Sequence, residues 1–275
     1  FAGEVQGEGG VGMIRGKTIV VRGGGDLATG VLWRLHRVGF RVACLEVAVP
    51  TVIRRTVSAA QAVFDGEARV EGVRFILAEK GAFPNAPGTV PVWVDPGAES
   101  IVDVHPDCVV DAIIAKENLG THKGMAPLVI GLGPGFEADV DVHCVVETKR
   151  GHDLGRVIYR GSAAPNTGIP GVVGGESEKR LVRSPGEGTF SPVTKIGDVV
   201  SEGQLLGTVA GLPVNAKIAG LVRGQIHPSA RVVKGMKIGD VDPRIEQGNW
   251  NTISDKALAI AGGVLEASVA AIPLS

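Results

Sequence analysis

The sequence has no apolar run approaching the roughly 18 residues needed to span a bilayer. It lacks the basic start and apolar stretch of a signal peptide. No block of one charge sign stands out: 28 Lys and Arg against 29 Asp and Glu leave a net charge of −1. That argues against nucleic acid or a membrane as the main partner. Cysteine is scarce. Cys44, Cys108 and Cys144 are widely spaced, form no CxxC pair and are too few for a disulfide framework, which suits a reducing, cytoplasmic compartment.

What is there suits a globule. The 275 residues are 44% hydrophobic and 21% charged, enough for one large or two ordinary domains. Residues 1–12, FAGEVQGEGGVG, precede Met13 and read as an expression-tag remnant outside the fold.

A β-branched run at 17–21 leads into Gly23, Gly24 and Gly25. Leu27, Val31, Leu32 and Leu35 follow at helical spacing up to Gly39, and 41–46 reads as a second strand. This is one βαβ unit, which implies a parallel sheet. Residues 51–64 look helical, and apolar runs at 92–94, 109–114 and 128–130 read as strands. From 140 to 146 apolar and polar residues alternate, with Val140, Val142, Cys144 and Val146 on one face and Asp141, His143, Val145 and Glu147 on the other. Residues 161–177 are rich in Gly, Pro, Ser and Asn, as in a loop or linker.

Beyond Ser184 the pattern turns to short strands with a period of 32: Gly188 matches Gly220, Val200 matches Val232, Gly203 matches Gly235, Leu206 matches Ile238 and Gly207 matches Gly239. Ser254 can cap a last helix whose stripe is Ala257, Leu258, Ala261, Val264 and Leu265. Gly262 and Gly263 interrupt that helix and imply close packing.

Gly23-x-Gly25-x-x-Ala28 fits a dinucleotide fingerprint, with Glu46 placed to take ribose hydroxyls. Asp26 complicates this. In the turn its carboxylate would repel phosphate, and it could instead cap the helix itself. A glycine turn with a nucleotide and a self-capped turn without one are both open. The alternative function on the first reading is an NAD(P)-dependent oxidoreductase.

A second glycine turn, 131–135, contains Gly133 and Gly135 and could form an anion-binding nest. Near it in sequence lie Lys123, Glu147, Arg150 and His152. Basic groups and carboxylates beside such a nest suit a phosphorylated or oxyanionic ligand. The four are expected to converge on one cleft, with Arg150 clamping an anion and Lys123 adding a point charge. His152 and Glu147 are the catalytic candidates, and His152 could move a proton near neutral pH. The candidate ligand-binding residues are Gly23, Gly24, Gly25, Glu46, Lys123, Gly133, Gly135 and Arg150. His143, Glu147 and His152 match no standard metal spacing, so no metal site is expected. Cys44 and Cys144 read as buried and inert, and Cys108 as the one near solvent.

Several long strings resemble a known family. VVRGGGDLATG at 20–30, PTVIRRTVSAAQAVFDGE at 50–67, the stretch 111–161, PNTGIPG at 165–171 and ISDKALAIAGGVLEA near the end look like the accessory proteins of selenium-dependent molybdenum hydroxylases. These are distantly similar to xanthine dehydrogenase accessory factors. The resemblance implies a maturation protein that binds molybdenum cofactor or a nucleotide and assists selenium insertion. Its partners would be a xanthine-dehydrogenase-type apoenzyme and a selenium donor protein. The 178–246 segment is similar to the barrel-sandwich hybrid of biotinyl and lipoyl carriers. Its hairpin near 210–214 holds no lysine, however, so carrier function by a modified lysine does not follow.

The expected fold is therefore α/β: a Rossmann-like parallel-sheet domain over 13–177, a small all-β barrel-sandwich-hybrid-like domain over 178–246, and a C-terminal helix over 247–275.

Overall fold

The computed structural model describes residues 16–166, 168, 171–245 and 250–273. The 1–12 segment lies outside the described residues. Strand β1 (Thr18–Arg22) is buried along its whole length, and its alternation sends Ile19 and Val21 to one face of the sheet and Val20 to the other. Helix α1 (Asp26–Arg37) follows, then β2 (Arg41–Glu46), parallel to β1. The glycine turn between β1 and α1 is required by its geometry. Gly23 has φ +99°, and a Cβ on Gly24 would lie 2.8 Å from the Ala60 nitrogen.

Strands β3 (Glu67–Val70) and β4 (Val73–Leu77) form a hairpin. Its Glu71-Gly72 turn has φ 43° and 84°, the pair a two-residue primed turn needs. Next come α2 (Ala62–Asp65), a single turn before that hairpin, then β5 (Thr89–Val94), α3 (Ser100–Val104), β6 (Cys108–Asp111) and β7 (Leu128–Leu132). Strands β8 (Glu137–Ala138), β9 (Cys144–Val146), β10 (Val157–Ile158) and β11 (Gly161–Ser162) complete this half. The large sheet has nine strands in the order β10-β9-β7-β6-β1-β2-β5-β4-β3. It is parallel through its centre and antiparallel at both margins.

Helix α4 (Asp255–Ala271) is capped by the Ser254 hydroxyl, which accepts the Ala257 N–H, and packs along α1. The contact is close because Gly30 of α1 faces Ala257, where a Cβ would come within 2.8 Å of the alanine Cβ. Gly263 meets the Gly155 backbone, while Gly262 meets nothing. The last helix therefore belongs to the core of the large sheet, with Ala257, Ile260, Ala261 and Val264 fully buried among residues of β1 and α1.

The remaining strands are β12 (Leu181–Arg183), β13 (Gly188–Pro192), β14 (Val199–Val200), β15 (Leu205–Val209), β16 (Leu212–Asn215), β17 (Gly220–Gln225), β18 (Arg231–Val232) and β19 (Lys237–Asp242). They form two four-stranded antiparallel sheets, β12-β19-β17-β14 and β16-β15-β13-β18, around a core of Phe190, Leu206, Val209, Ile226 and Ile238. Their ladders repeat with an offset of 32 residues. Gly188 pairs with Val232 as Gly220 pairs with Val200, and Val182 pairs with Gly239 as Val214 pairs with Gly207. This β module is fastened to the 53–64 segment. Gln225 N–H donates to the Ile53 carbonyl at 2.9 Å, Arg55 Nε to the Gln225 carbonyl at 2.8 Å, and Phe64 stacks on His227 at 3.7 Å.

The expected fold class is corrected. A large mixed sheet with few helices stands in place of a Rossmann-like parallel domain followed by a barrel-sandwich hybrid. The physical reason is that short helical turns and a hairpin, not one long helix, fill the chain between β2 and β5, and among the described residues only α1 and α4 are long helices. The expected helix over 51–64 is also corrected. Its β-branched residues and Ser58, whose hydroxyl donates to the Arg54 carbonyl, favour two 3₁₀ turns at Arg55–Val57 and Ala59–Gln61 before α2. The alternation over 140–146 yields a strand only at Cys144–Val146. Asp139 turns with φ 68°, and the Asp141 carboxylate accepts the Glu137 N–H at 2.8 Å. Cys108 is buried, as are Cys44 and Cys144. No helix among the described residues is long and apolar enough to cross a membrane.

Candidate functional site

Ligands of open α/β sheets bind beyond the carboxyl ends of the parallel strands. Two adjoining clefts open there. They share Gly25, Asp26, Leu27, Thr51, Val52 and Ile114. The first, of about 510 Å³, lies over the glycine turn and is mainly apolar, with Leu45, Val47, Ala112, Ile113 and Leu119 on its walls. Under it Arg22 and Asp111 form a buried ion pair at 3.5 Å, and the Thr121 hydroxyl bridges the two side chains. Asp111 Oδ1 also accepts the Ile113 N–H at 3.1 Å, which fixes the loop leaving β6.

The second cleft, of about 640 Å³, runs from the start of α1 to the β module. Its charge is lopsided. The large-sheet half contributes Arg54, Lys116, Lys149 and Arg150, the module contributes Arg180, Arg223 and Lys237, and α4 contributes Lys256. Against these eight cations stand two carboxylates, Asp26 and Asp240. Asp26 pairs with Arg54 at 3.3 Å and Asp240 with Arg180 at 2.6 Å. Arg150 grips Asp255 at the rim through 2.7 and 3.0 Å hydrogen bonds. Among the described residues the ammonium groups of Lys116, Lys149, Lys237 and Lys256 make no hydrogen bond or ion pair with another side chain.

Burial works against several of these charges. It pulls Lys237 below the usual lysine range; the Asp240 carboxylate opposes that pull, while the Arg180 guanidinium adds to it. Lys256 is lowered by burial and then by Arg150. Burial and then Arg54 lower Arg223. The first intrahelical bond of α1 runs from Thr29 N–H to the Gly25 carbonyl, and no side chain caps the helix, so its leading N–H groups face the shared part of the two clefts. Asp26 is thus not the cap expected of it. It is the first helical residue, and its carboxylate turns to Arg54 because that guanidinium offers a stronger partner than a backbone N–H. The cleft wall also holds strain. Ile114 and Lys116 have φ 59° and 71°, a region that side chains, and β-branched ones above all, avoid.

The sequence-based candidates scatter. Gly23, Gly24, Gly25 and Glu46 surround the first cleft. Glu46 already accepts the Gly24 N–H at 2.8 Å and the Val47 N–H at 2.8 Å, and burial raises its carboxyl above the usual range despite those two donors. Arg150 lines the second cleft. Glu147 lies beneath it, buried, with one oxygen accepting the Lys149 N–H and the other the Ala164 N–H, both at 2.7 Å. Lys123 pairs with Asp139 at 2.8 Å and lines neither cleft. His152 is exposed on a turn away from both. Gly133 packs against Thr148 and Gly135 against the Glu117 backbone, which leaves Pro134 as the part of that turn on the cleft. The four expected to converge do not line one cleft, because β9 ends at Val146 and Glu147, just beyond it, turns its carboxylate to main-chain donors, while Lys123 pairs with Asp139. Arg54, Arg180, Arg223, Lys237 and Lys256 were not singled out, and no local motif marks them.

No known family profile matches the chain. It is 50% identical over 252 residues to a protein of Escherichia coli K12 described as the uncharacterized protein YqeB. That match takes in 90% of this chain and 47% of the relative, so the chain spans about half the length of the curated relative it matches.

Among solved structures it is similar to the ectoine utilization protein EutE (DoeB) of Ruegeria pomeroyi, at 15% identity and a TM-score of 0.25, covering 82% of this chain and 85% of that one. It is also similar to a succinylglutamate desuccinylase/aspartoacylase of Rhodobacter sphaeroides, at 15% identity and a TM-score of 0.28, covering 82% and 85%. An aspartoacylase family protein of Mesorhizobium loti matches at 12% and a TM-score of 0.26, covering 82% and 85%. TM-scores of 0.25 to 0.28 transfer no activity to this chain.

None of these proteins is described as a molybdenum hydroxylase accessory factor or a nicotinamide-dependent oxidoreductase. The family resemblance is corrected accordingly, and with it the expected roles in molybdenum hydroxylase maturation and selenium insertion, the hydroxylase and selenium-donor partners, and the NAD(P) alternative. The strings that carried the resemblance are chiefly glycine turns, strand cores and helix packing faces, which specify a backbone path rather than a chemistry. For the oxidoreductase reading there is a local reason too: Glu46 is spent on the N–H groups of Gly24 and of its own neighbour Val47, and Asp26 stands where a pyrophosphate would lie.

Proposed function

We propose that the chain binds a small polyanion of the phosphorylated, nucleotide-sized class across the two clefts. Its phosphates would sit among the cations between the large sheet and the β module, and its less polar part over the glycine turn. The observation that carries this reading is the excess of eight cationic side chains over two carboxylates in one cleft of a chain whose net charge is −1. Like charges gathered at that density repel one another, and a bound anion relieves the repulsion. The volumes suit a small ligand. The planar guanidinium of Arg223 adds phosphate donors. We place the protein in the cytoplasm, a reading supported by three cysteines kept as free thiols.

Equilibrium binding and thermal-shift measurements test the reading. Pyrophosphate and ATP should stabilise the fold in proportion to RT ln(1 + [L]/Kd), adenosine much less, and the effect should shrink as salt rises. Equal stabilisation by adenosine and ATP, or none by either phosphate at low salt, would refute it.

A further inference from the structure

We propose that Lys237 is a nucleophilic amine that condenses with the carbonyl group of a phosphorylated aldehyde or ketone held in the cationic cleft. This rests on the anion site proposed above for the placement of the phosphate. Four lysines whose ammonium groups have no side-chain partner among the described residues line the cleft, and their settings differ. Lys116 and Lys149 are exposed on loops, and Lys256 stands on the first turn of α4. Lys237 begins β19, a strand hydrogen-bonded on both sides by β12 and β17, so its backbone is held on a rigid sheet. It is half-buried.

Two guanidiniums, Arg180 and Arg223, act on it from the neighbouring strand regions, and the carboxylates that act on it, Asp240 and Asp26, are each engaged by an arginine. An amine with no acceptor of its own, desolvated and flanked by fixed positive charge, is held towards its neutral form, as in lysines that form Schiff bases. The same arginines would hold the ligand's phosphate.

The step balances without a redox partner. The neutral amine attacks the carbonyl carbon, forming a C–N bond, and a proton passes from nitrogen to oxygen to give the carbinolamine. Loss of water then leaves the imine.

Pyridoxal 5′-phosphate and pyridoxal serve as probes on the full chain, with borohydride reduction of any imine to a stable secondary amine and location of the adduct by peptide mass spectrometry. Pyridoxal 5′-phosphate should label Lys237 severalfold more than the exposed Lys116 or Lys149, since a desolvated amine flanked by guanidiniums keeps more of its neutral form. Pyrophosphate should protect it, and Lys237→Arg should remove the adduct. Labelling spread over the other lysines in order of exposure, with Lys237 unmodified, overturns the proposal. If pyrophosphate binds but neither aldehyde labels Lys237, the nucleophile falls and the anion site stands. If pyridoxal labels Lys237 as strongly as its phosphate and pyrophosphate gives no protection, the nucleophile stands and the anion site falls.

Discussion

Arg150 holds Asp255 through two hydrogen bonds, 2.7 Å from Nη1 to Oδ2 and 3.0 Å from Nη2 to Oδ1, across 105 positions of sequence. The pair ties the loop after β9 to the start of α4 at the rim of the cationic cleft. It also keeps one of the cleft's guanidiniums occupied.

Asp255→Asn should therefore release Arg150 and remove a negative charge from the rim. Affinity for pyrophosphate is expected to rise roughly threefold, and stability to fall by less than about 1 kcal/mol, since the pair is exposed. The Arg150 hydrogen bonds lower the Asp255 carboxyl from 3.8 to about 2. A depressed carboxyl stabilises the fold above its unfolded value and loses that contribution as pH falls through its folded one. Acid denaturation curves of the two proteins should then coincide below about pH 2 and separate above 3.8. Weaker pyrophosphate binding by the variant would contradict this.

Gly30→Ala should cost about 1–3 kcal/mol, the usual range for overpacking, because its new Cβ meets the Ala257 Cβ at 2.8 Å. Pairing it with Ala257→Gly should restore part of the loss. Urea denaturation of the four proteins measures the coupling. Additive losses would mean that α1 and α4 do not touch at this point.

Glu147→Gln exchanges one of two accepting oxygens for a donor that faces a backbone N–H, either that of Lys149 or that of Ala164. An unsatisfied buried group of this kind costs about 1–3 kcal/mol. The melting temperature should fall, and pyrophosphate affinity should fall less than in Arg223→Ala. An unchanged melting temperature would show that the carboxylate does not organise the loop.

The three thiols should be inert in the native protein. Burial raises Cys44, and more weakly Cys144 to about 11, and Cys108 is raised by burial too. Titration with a thiol reagent should register none of them until the chain unfolds. Rapid reaction of one thiol at neutral pH would contradict the packing around it.

Local features were legible in the sequence where a short stretch decides the outcome. The glycine turn, the apolar stripe of α1 and the Ser254 cap each depend on neighbours within a few positions. The reading of 51–64 as a helix failed because periodicity says nothing of the partner, here the Gln225 edge of the β module. The cleft was illegible for a related reason. Its cations run from Arg54 to Lys256, no two of them in a recognisable motif apart from Lys149 and Arg150, and a net charge near zero conceals their gathering. Glu147, by contrast, looked chemical because it is a carboxylate among basic residues, yet its partners are main-chain donors that no sequence pattern displays.

The most direct test of the cationic cleft as an anion site is calorimetric titration of tripolyphosphate into the wild-type chain and into Arg223→Glu at low salt. The account predicts saturable binding by the wild type. It predicts a loss of at least about tenfold in the variant, since one charge-assisted hydrogen bond contributes roughly 1.5–3 kcal/mol and here becomes a repulsion. Indistinguishable affinities for the two proteins, both folded by circular dichroism, would contradict it.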